Sequence, residues 1–491
     1  MATLAERDET GTLVAGPDEA EVVERRTRAA KVFRLPDAPD GRRRFRIGTQ
    51  IGPVHYRLDP WSETEAWKEI DLSIRLTPDQ PWDAACETNG YQVRFWHARE
   101  VTGRTVRCIA QFRRGGRWLA MAPLALVWEN DAGERELVSA TRPARASIDN
   151  DRYAVTWIGA FGEGLDFRYC LSPNLFLKTL VIQRREALPR PSIGTAGLRL
   201  TLVMALAWDS QVAAANGLAV GHEPADLTGT LEDVTATPDE ELANPVPFPW
   251  AQAGREYWWC QGPVARDSSE EHHTIPVMWR LRRRGERVLA LFSVPAEALG
   301  AAVYPVEIDP AIAEEEVPAN LDDVFENQYG VTDGNTIEWQ GTTLPYAAGL
   351  RFTTIPLPRA CTINAASLKV YVQTQDDPQS YLYCQAADDA AQFTLTAGDV
   401  LHRPLTTRSA YWNATNIGTG WKESPDMSAP MQEVVDRSGW ASNNALAVLS
   451  RSNTTTRTFR TSSKNNGYPP KFGCVYTEAA GTGNALLLAG D

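Results

Sequence analysis

The sequence is short of the residues on which most catalytic and metal chemistry draws. It has six histidines in 491 residues, and His55, His97, His222 and His402 are dispersed with no partner at motif spacing. The adjacent pair in Glu270-Glu-His-His273 lacks the four-residue interval that sets two imidazoles on one helix face around zinc, so it reads as a solvated polar loop. Cysteines at 86, 108, 170, 260, 361, 384 and 474 are scattered and form no Cys-x-x-Cys pair, which argues against a structural zinc site. They read as buried thiols. A pairing of Cys384 with Cys474, or of Cys361 with either, stays open. A Gly-x-Ser-x-Gly elbow is absent. Paired carboxylates for glycoside cleavage depend on spatial separation, and a chain with 62 acidic residues always offers some suggestive pair. No catalytic residue, metal or cofactor is therefore assigned. Long apolar runs are missing too: the longest, 198–208, contains Arg199 and is too short to span a bilayer. The first residues are charged and lack the apolar core of a signal peptide. The expectation is a chain neither exported by the usual route nor inserted in a membrane.

Lysine is scarce, seven against 42 arginines, and the net charge is -13. That balance argues against nucleic acid as a partner, because phosphate binding relies on a basic surface. It favours a self-repelling, soluble exterior. What is abundant is tryptophan (16), proline (32) and glycine (35), a composition suited to strands punctuated by turns. The length exceeds what one hydrophobic core usually supports.

The spacing predicts an all-β protein: a large N-terminal β-sandwich region, then a C-terminal jelly-roll-like β-sandwich, with an N-terminal arm. Residues 1–40 form the arm, where Asp18 to Lys31 has helix-like charge placement, acidic early and basic late. The arm reads either as a flexible tail or as a segment ordered on a partner subunit. Residues 41–310 carry strand-like runs every 10 to 20 residues, including 44–56, 67–74, 90–96, 104–109, 117–121, 153–157, 164–169 and 175–182. A softer boundary falls near 190, and the loop-rich, acidic stretch 210–250 reads as a functional or interface-forming insertion. The acidic stretch 311–320 is a linker, 321–478 the second sandwich and 479–491 a tail. Within the second sandwich the period changes from two to about 3.6 once, over 428–437. Asp322, Asp323, Glu326, Asn327 and Asp333 offer oxygen ligands without calcium-loop spacing, so solvated loop residues are the plainer account.

Residues 320–478 carry a resemblance. The run Ala366-Ser-Leu-Lys-Val-Tyr-Val372, the spaced Trp412, Trp421 and Trp440, Met431-Gln-Glu-Val-Val-Asp before Gly439-Trp440, and the late Pro469-Pro470 resemble the DNRLRE-type β-sandwich modules of bacterial surface proteins and related viral structural proteins. Ile51-Gly-Pro-Val-His-Tyr56, Trp67-Lys-Glu-Ile-Asp71 and Tyr304-Pro-Val-Glu-Ile-Asp-Pro310 look like the bookends of a β-domain in large phage structural proteins and bacterial wall-associated proteins. The resemblance implies a carbohydrate-binding-module-like fold and a surface setting, with no catalytic residues. A surface protein without an export signal points to a virion, which is assembled in the host cytoplasm and acts outside it.

The expected function is thus a non-enzymatic structural component of a phage particle, decorating head, neck or tail. Its partners would be other virion proteins, copies of itself (a trimer is the guess) and host surface glycans. The alternatives are an adhesin exported by an unusual route and a virion-associated polysaccharide-degrading enzyme. Tyr411, Trp412, Trp421 and Trp440 lie beside Gly/Asn/Thr-rich loops and are the candidate glycan-stacking residues. Core packing is the other reading of the same tryptophans; Trp412 is the one expected to be exposed.

Overall fold

The computed structural model describes residues 10–96, 109–142, 144, 146–209, 211–214, 240–243, 248–252, 255–260, 263–269, 273–284, 287–309, 311–313, 321–333, 336–340, 346–373, 379–413, 417–452, 459–462 and 468–479. Strand is the dominant regular structure of the described residues, paired antiparallel throughout, with two short α-helices, Ala296–Ala301 and Ser428–Val435. The fold class expected from the sequence is the one observed. No helix among the described residues is long and apolar enough to cross a membrane. Two compact units divide the chain. The first takes Arg57–Glu63 and Ile70–Val317; the second takes Ala2–Tyr56, Thr64–Glu69 and Pro318–Asp491.

The first unit is built on two antiparallel sheets. One runs through Gln92–Trp96, Ile109–Arg114, Arg117–Glu129, Arg199–Trp208, Arg287–Pro295 and Met278–Arg284. The other runs through Ala154–Gly162, Leu165–Leu171, Leu175–Ile182, Ala311–Ala313 and Arg255–Cys260. Aromatic rings from both fill the space between: Tyr91 stacks on Phe112 at 4.8 Å, Tyr169 on Phe176 at 5.3 Å, and Phe112 meets Trp258 edge-on at 6.3 Å. The apolar run at 198–208 is a central strand of the first sheet, buried on both faces, which is why it shows no alternation. The stretch near 190 carries the chain from one sheet of this unit to the other, through a 3-10 turn at Arg185–Ala187. Most of 210–250 lies outside the described residues, as do Cys108, His97, His222 and Glu270 to His272.

The second unit is also a two-sheet sandwich. One sheet has six strands, including Asp323–Asn327, Ala347–Phe352, Leu446–Ser452, Gln379–Cys384 and Ala410–Asn413. The other places Ala30–Leu35, Arg44–Gln50, Lys471–Thr477 and Thr362–Val372 side by side, with Gly420–Glu423 paired to the last of these. Residues 18–35 are therefore neither an α-helix nor a free arm: a single 3-10 turn, Val23–Arg25, lies between strands. Ala30–Leu35 and Arg44–Gln50 form a hairpin in register Ala30↔Thr49 to Leu35↔Arg44, and Arg44–Gln50 pairs with Lys471–Thr477 near the other end of the sequence. The charges that suggested a helix serve ion pairs instead: Arg26 meets Glu21 at 2.6 Å and Glu69 at 2.9 Å, and Arg25 meets Glu478 at 2.9 Å. The core joins Phe45, Ile47, Leu368, Val370, Phe472 and Tyr476 of one sheet to Leu350, Phe352, Leu382 and Val448 of the other. The expected helical stretch is observed as Ser428–Val435 and buries Met431, Val434 and Val435. Asp426 receives the Ser428 N–H at 3.0 Å just before it, and Pro430 falls in the first turn, where its missing N–H costs no helix bond.

Candidate functional site

Alternation along Thr362–Val372 sends Ala366, Leu368, Val370 and Val372 into the core and leaves Ser367, Lys369 and Tyr371 on the outer face. Strand pairing then fixes what stands beside them. Ser367 lies opposite Gly473, which lies opposite Gly48, giving a row of small residues across three strands. The next row is charged: Lys369 lies opposite Lys471 on one side and Glu423 on the other. The third row is aromatic, with Tyr371 opposite Trp421. Tyr468 completes it, stacked on Tyr371 at 4.0 Å and 24°, with Trp421 edge-on to Tyr371 at 5.8 Å. The Lys471 ammonium lies 4.5 Å from the centre of the Trp421 ring, an attraction that fixes the ring without a covalent tie. Tyr468 is 41% exposed, while Trp421 and Tyr371 are half-buried.

Beside the charged row lies a groove of about 520 Å³ lined by Thr12, Val14, Gly16, Ser367, Lys369 and Glu423 among others. That volume is within the range of small-ligand sites. Its carboxylates are already engaged. Glu423 accepts the Ser367 hydroxyl at 2.5 Å. Burial alone would raise the Glu19 carboxyl, but the Arg46 guanidinium and the Gly16 N–H outweigh it and hold the group below its ordinary value. Asp426 is likewise held low against burial by the Ser428 hydroxyl and the N–H groups of Ala366 and Ser428.

Of the four residues chosen from the sequence, Trp421 stands on this face. Trp412 and Trp440 do not, which corrects the expectation that they stack on sugar. Trp412 is 2% exposed and packs edge-on against Trp339 at 6.0 Å; Trp440 is equally buried and donates its indole N–H to the Leu357 carbonyl at 3.0 Å. Strand parity explains Trp412: in Ala410–Asn413 the pattern buries residues 410 and 412 and exposes 411 and 413. Tyr411 is 42% exposed and pairs with Tyr381 at 4.8 Å on the six-stranded sheet, so it belongs to a different face from Trp421. Sequence reasoning missed Tyr371 and Tyr468. The signal for Tyr371 was present, since it occupies the polar parity of a plain alternating run; Tyr468 offered none.

Other sequence candidates have structural roles. Asp322 pairs with Arg351 at 2.7 Å, and Glu326, 2% exposed, accepts the N–H groups of Val400 and Leu401 at 2.9 Å. Among the described residues, no group of three His, Cys, Asp or Glu stands at metal-binding geometry. Cys86, Cys170, Cys260, Cys361, Cys384 and Cys474 are free thiols. Burial pushes the Cys361 and Cys384 thiols up to about 12, which suppresses the reactive thiolate.

No family model and no curated protein sequence matches the chain. Among solved structures, an exo-β-1,3-galactanase from Phanerochaete chrysosporium is 7% identical over 96% of this chain and 97% of its own, with a TM-score of 0.15. A Trypanosoma rangeli sialidase is 8% identical over 94% and 81%, at 0.16. A Paenibacillus xanthan lyase is 8% identical over 84% and 57%, at 0.13. Likenesses that slight carry no argument about this chain.

Proposed function

We propose that this chain is a non-enzymatic structural component of a phage particle that presents the outer face of its second unit to host glycans. The observation that carries the glycan reading is the Tyr371–Trp421–Tyr468 platform, flanked by Lys369, Lys471 and Glu423. Aromatic faces suit the apolar face of a sugar ring, and charged groups beside them suit its hydroxyls. The particle setting rests on the resemblance of 51–56, 67–71, 304–310 and 320–478 to phage and surface modules.

Binding is favoured over hydrolysis on this face. Glycoside cleavage needs one carboxylic acid with a raised pKa opposite a carboxylate. Glu19 and Asp426 are instead held low by hydrogen bonds, and Glu423 is tied to Ser367. Weak single-site contacts would be multiplied by repeated copies on one particle. Two measurements check the reading. Mass spectrometry of purified particles is expected to find the chain in multiple copies, and incubation with host polysaccharide is expected to give retention without shorter products. A chain absent from particles would remove the virion half; shortened polysaccharide would replace the binding half with an enzyme.

A further inference from the structure

The groove beside the platform has an unusual wall. Residues 10–16 run across the outer face of the sheet in no strand of their own, the first strand among the described residues beginning at Ala20. They lie on the small row: a Cβ built on Gly48 would overlap the Thr12 carbonyl, and the Thr12 methyl lies 4.0 Å from a Cβ on Gly473. Alternate carbonyls of this strap are taken by cations. Lys369 donates to Thr10 O at 2.9 Å, and Arg46 donates to Thr12 O at 2.6 Å and Val14 O at 2.7 Å. Arg46 is in turn held by Glu19 at 2.6 Å, and Glu19 accepts the Gly16 N–H at 2.8 Å, which closes the loop. Its deeply buried apolar anchor is Leu13, against Val54.

We propose that this strap builds a second sugar subsite beside the aromatic platform, so that the face takes a glycan chain rather than a single terminal sugar. The inference rests on the glycan reading given above. Without the strap, the row Gly48–Gly473–Ser367 is flat and has no side chain tall enough to wall a groove. With it, the groove has Thr12, Val14 and Gly16 on one side and Ser367, Lys369 and Glu423 on the other. Lys369 and Tyr371 are two residues apart on one strand face, as are Glu423 and Trp421, so groove and platform are separated by about 7 Å of strand. Neighbouring units of one sugar chain are spaced on that scale. The Ser367 hydroxyl, the Lys369 ammonium and the Glu423 carboxylate offer donors and acceptors for ring hydroxyls.

The test is affinity against chain length, measured with cello-, laminari- and chito-oligosaccharide series from the monosaccharide upward. The full chain, Gly48→Val and a chain lacking residues 2–16 are compared. Gly48→Val displaces Thr12 from its seat on the sheet, and the deletion removes the strap outright, so either variant suffices if the other fails to fold. Cleavage within 10–16 by a broad-specificity protease reports whether the strap has left in Gly48→Val. The strap-free forms are expected to bind short sugars as the full chain does. They are expected to lose about tenfold on longer chains, the worth of one or two net hydrogen bonds. Equal affinity of strap-free and full chains for long oligosaccharides would overturn the subsite, as would a full chain whose affinity does not grow with length. Failure of the full chain to bind any sugar would instead remove the glycan reading beneath it.

Discussion

Trp412 and Trp421 differ by nine positions and have opposite duties. Trp412 fills the sandwich core against Trp339, so Trp412→Ala is expected to cost about 3–5 kcal/mol of second-unit stability through lost contacts and a cavity. Chemical denaturation reads that cost. Trp421 is held between Tyr371 and Lys471 on the outer face, so Trp421→Ala is expected to leave the unfolding midpoint nearly unchanged and to abolish glycan retention. At His55 the residue scale also sets a pH dependence. Burial lowers its pKa to about 4, against the Thr27 carbonyl that accepts from Nδ1 at 2.6 Å and with help from Arg26 and Lys31. The unfolded chain therefore takes up the proton first, near 6.5. Stability of the second unit is fully present above that value and falls as pH drops through the window from about 6.5 to about 4, by about 3 kcal/mol. Thermal unfolding across that range is expected to show the slope in the wild type and a shallower one in His55→Gln.

At the scale of elements, the alternating runs were legible because one face of each strand meets a core. The run Leu175–Ile182 was read with its observed bounds, and the single switch to helical period at 428–437 became Ser428–Val435. Partners were not legible. Nothing local in Arg44–Gln50 says that it pairs with Lys471–Thr477, because that register is set by complementary faces more than 400 residues apart. The same gap hid the site: Tyr371, Trp421 and Tyr468 meet only after three distant segments are laid side by side. Tryptophans near polar loops were a poor guide, since Trp412 and Trp440 follow strand parity and core packing rather than the composition around them. A consequence follows for dissection. Residues 321–478 expressed alone lack Ala30–Leu35 and Arg44–Gln50, which cover one edge of Lys471–Thr477. That fragment is expected to show no cooperative unfolding by circular dichroism. Adding residues 2–56 as a separate peptide is expected to restore the transition. A sharp transition in the fragment alone would contradict the pairing.

At the scale of the whole molecule, two sandwich units are present, and the second carries the proposed glycan-binding face. The net charge is -13, and the few lysines matter by position, with Lys369 and Lys471 directly opposed beside the aromatic platform. Like charges directly across a strand pair are unfavourable unless something between them repays the repulsion. Here Lys471 leans on Trp421 and Lys369 holds the strap carbonyl of Thr10. The most direct measurement is a calorimetric titration of the intact chain with host surface polysaccharide, with Trp421→Ala beside it. The account predicts saturable binding by the intact chain, lost in Trp421→Ala while both proteins unfold at the same temperature. No binding, or equal binding by the two proteins, would contradict it.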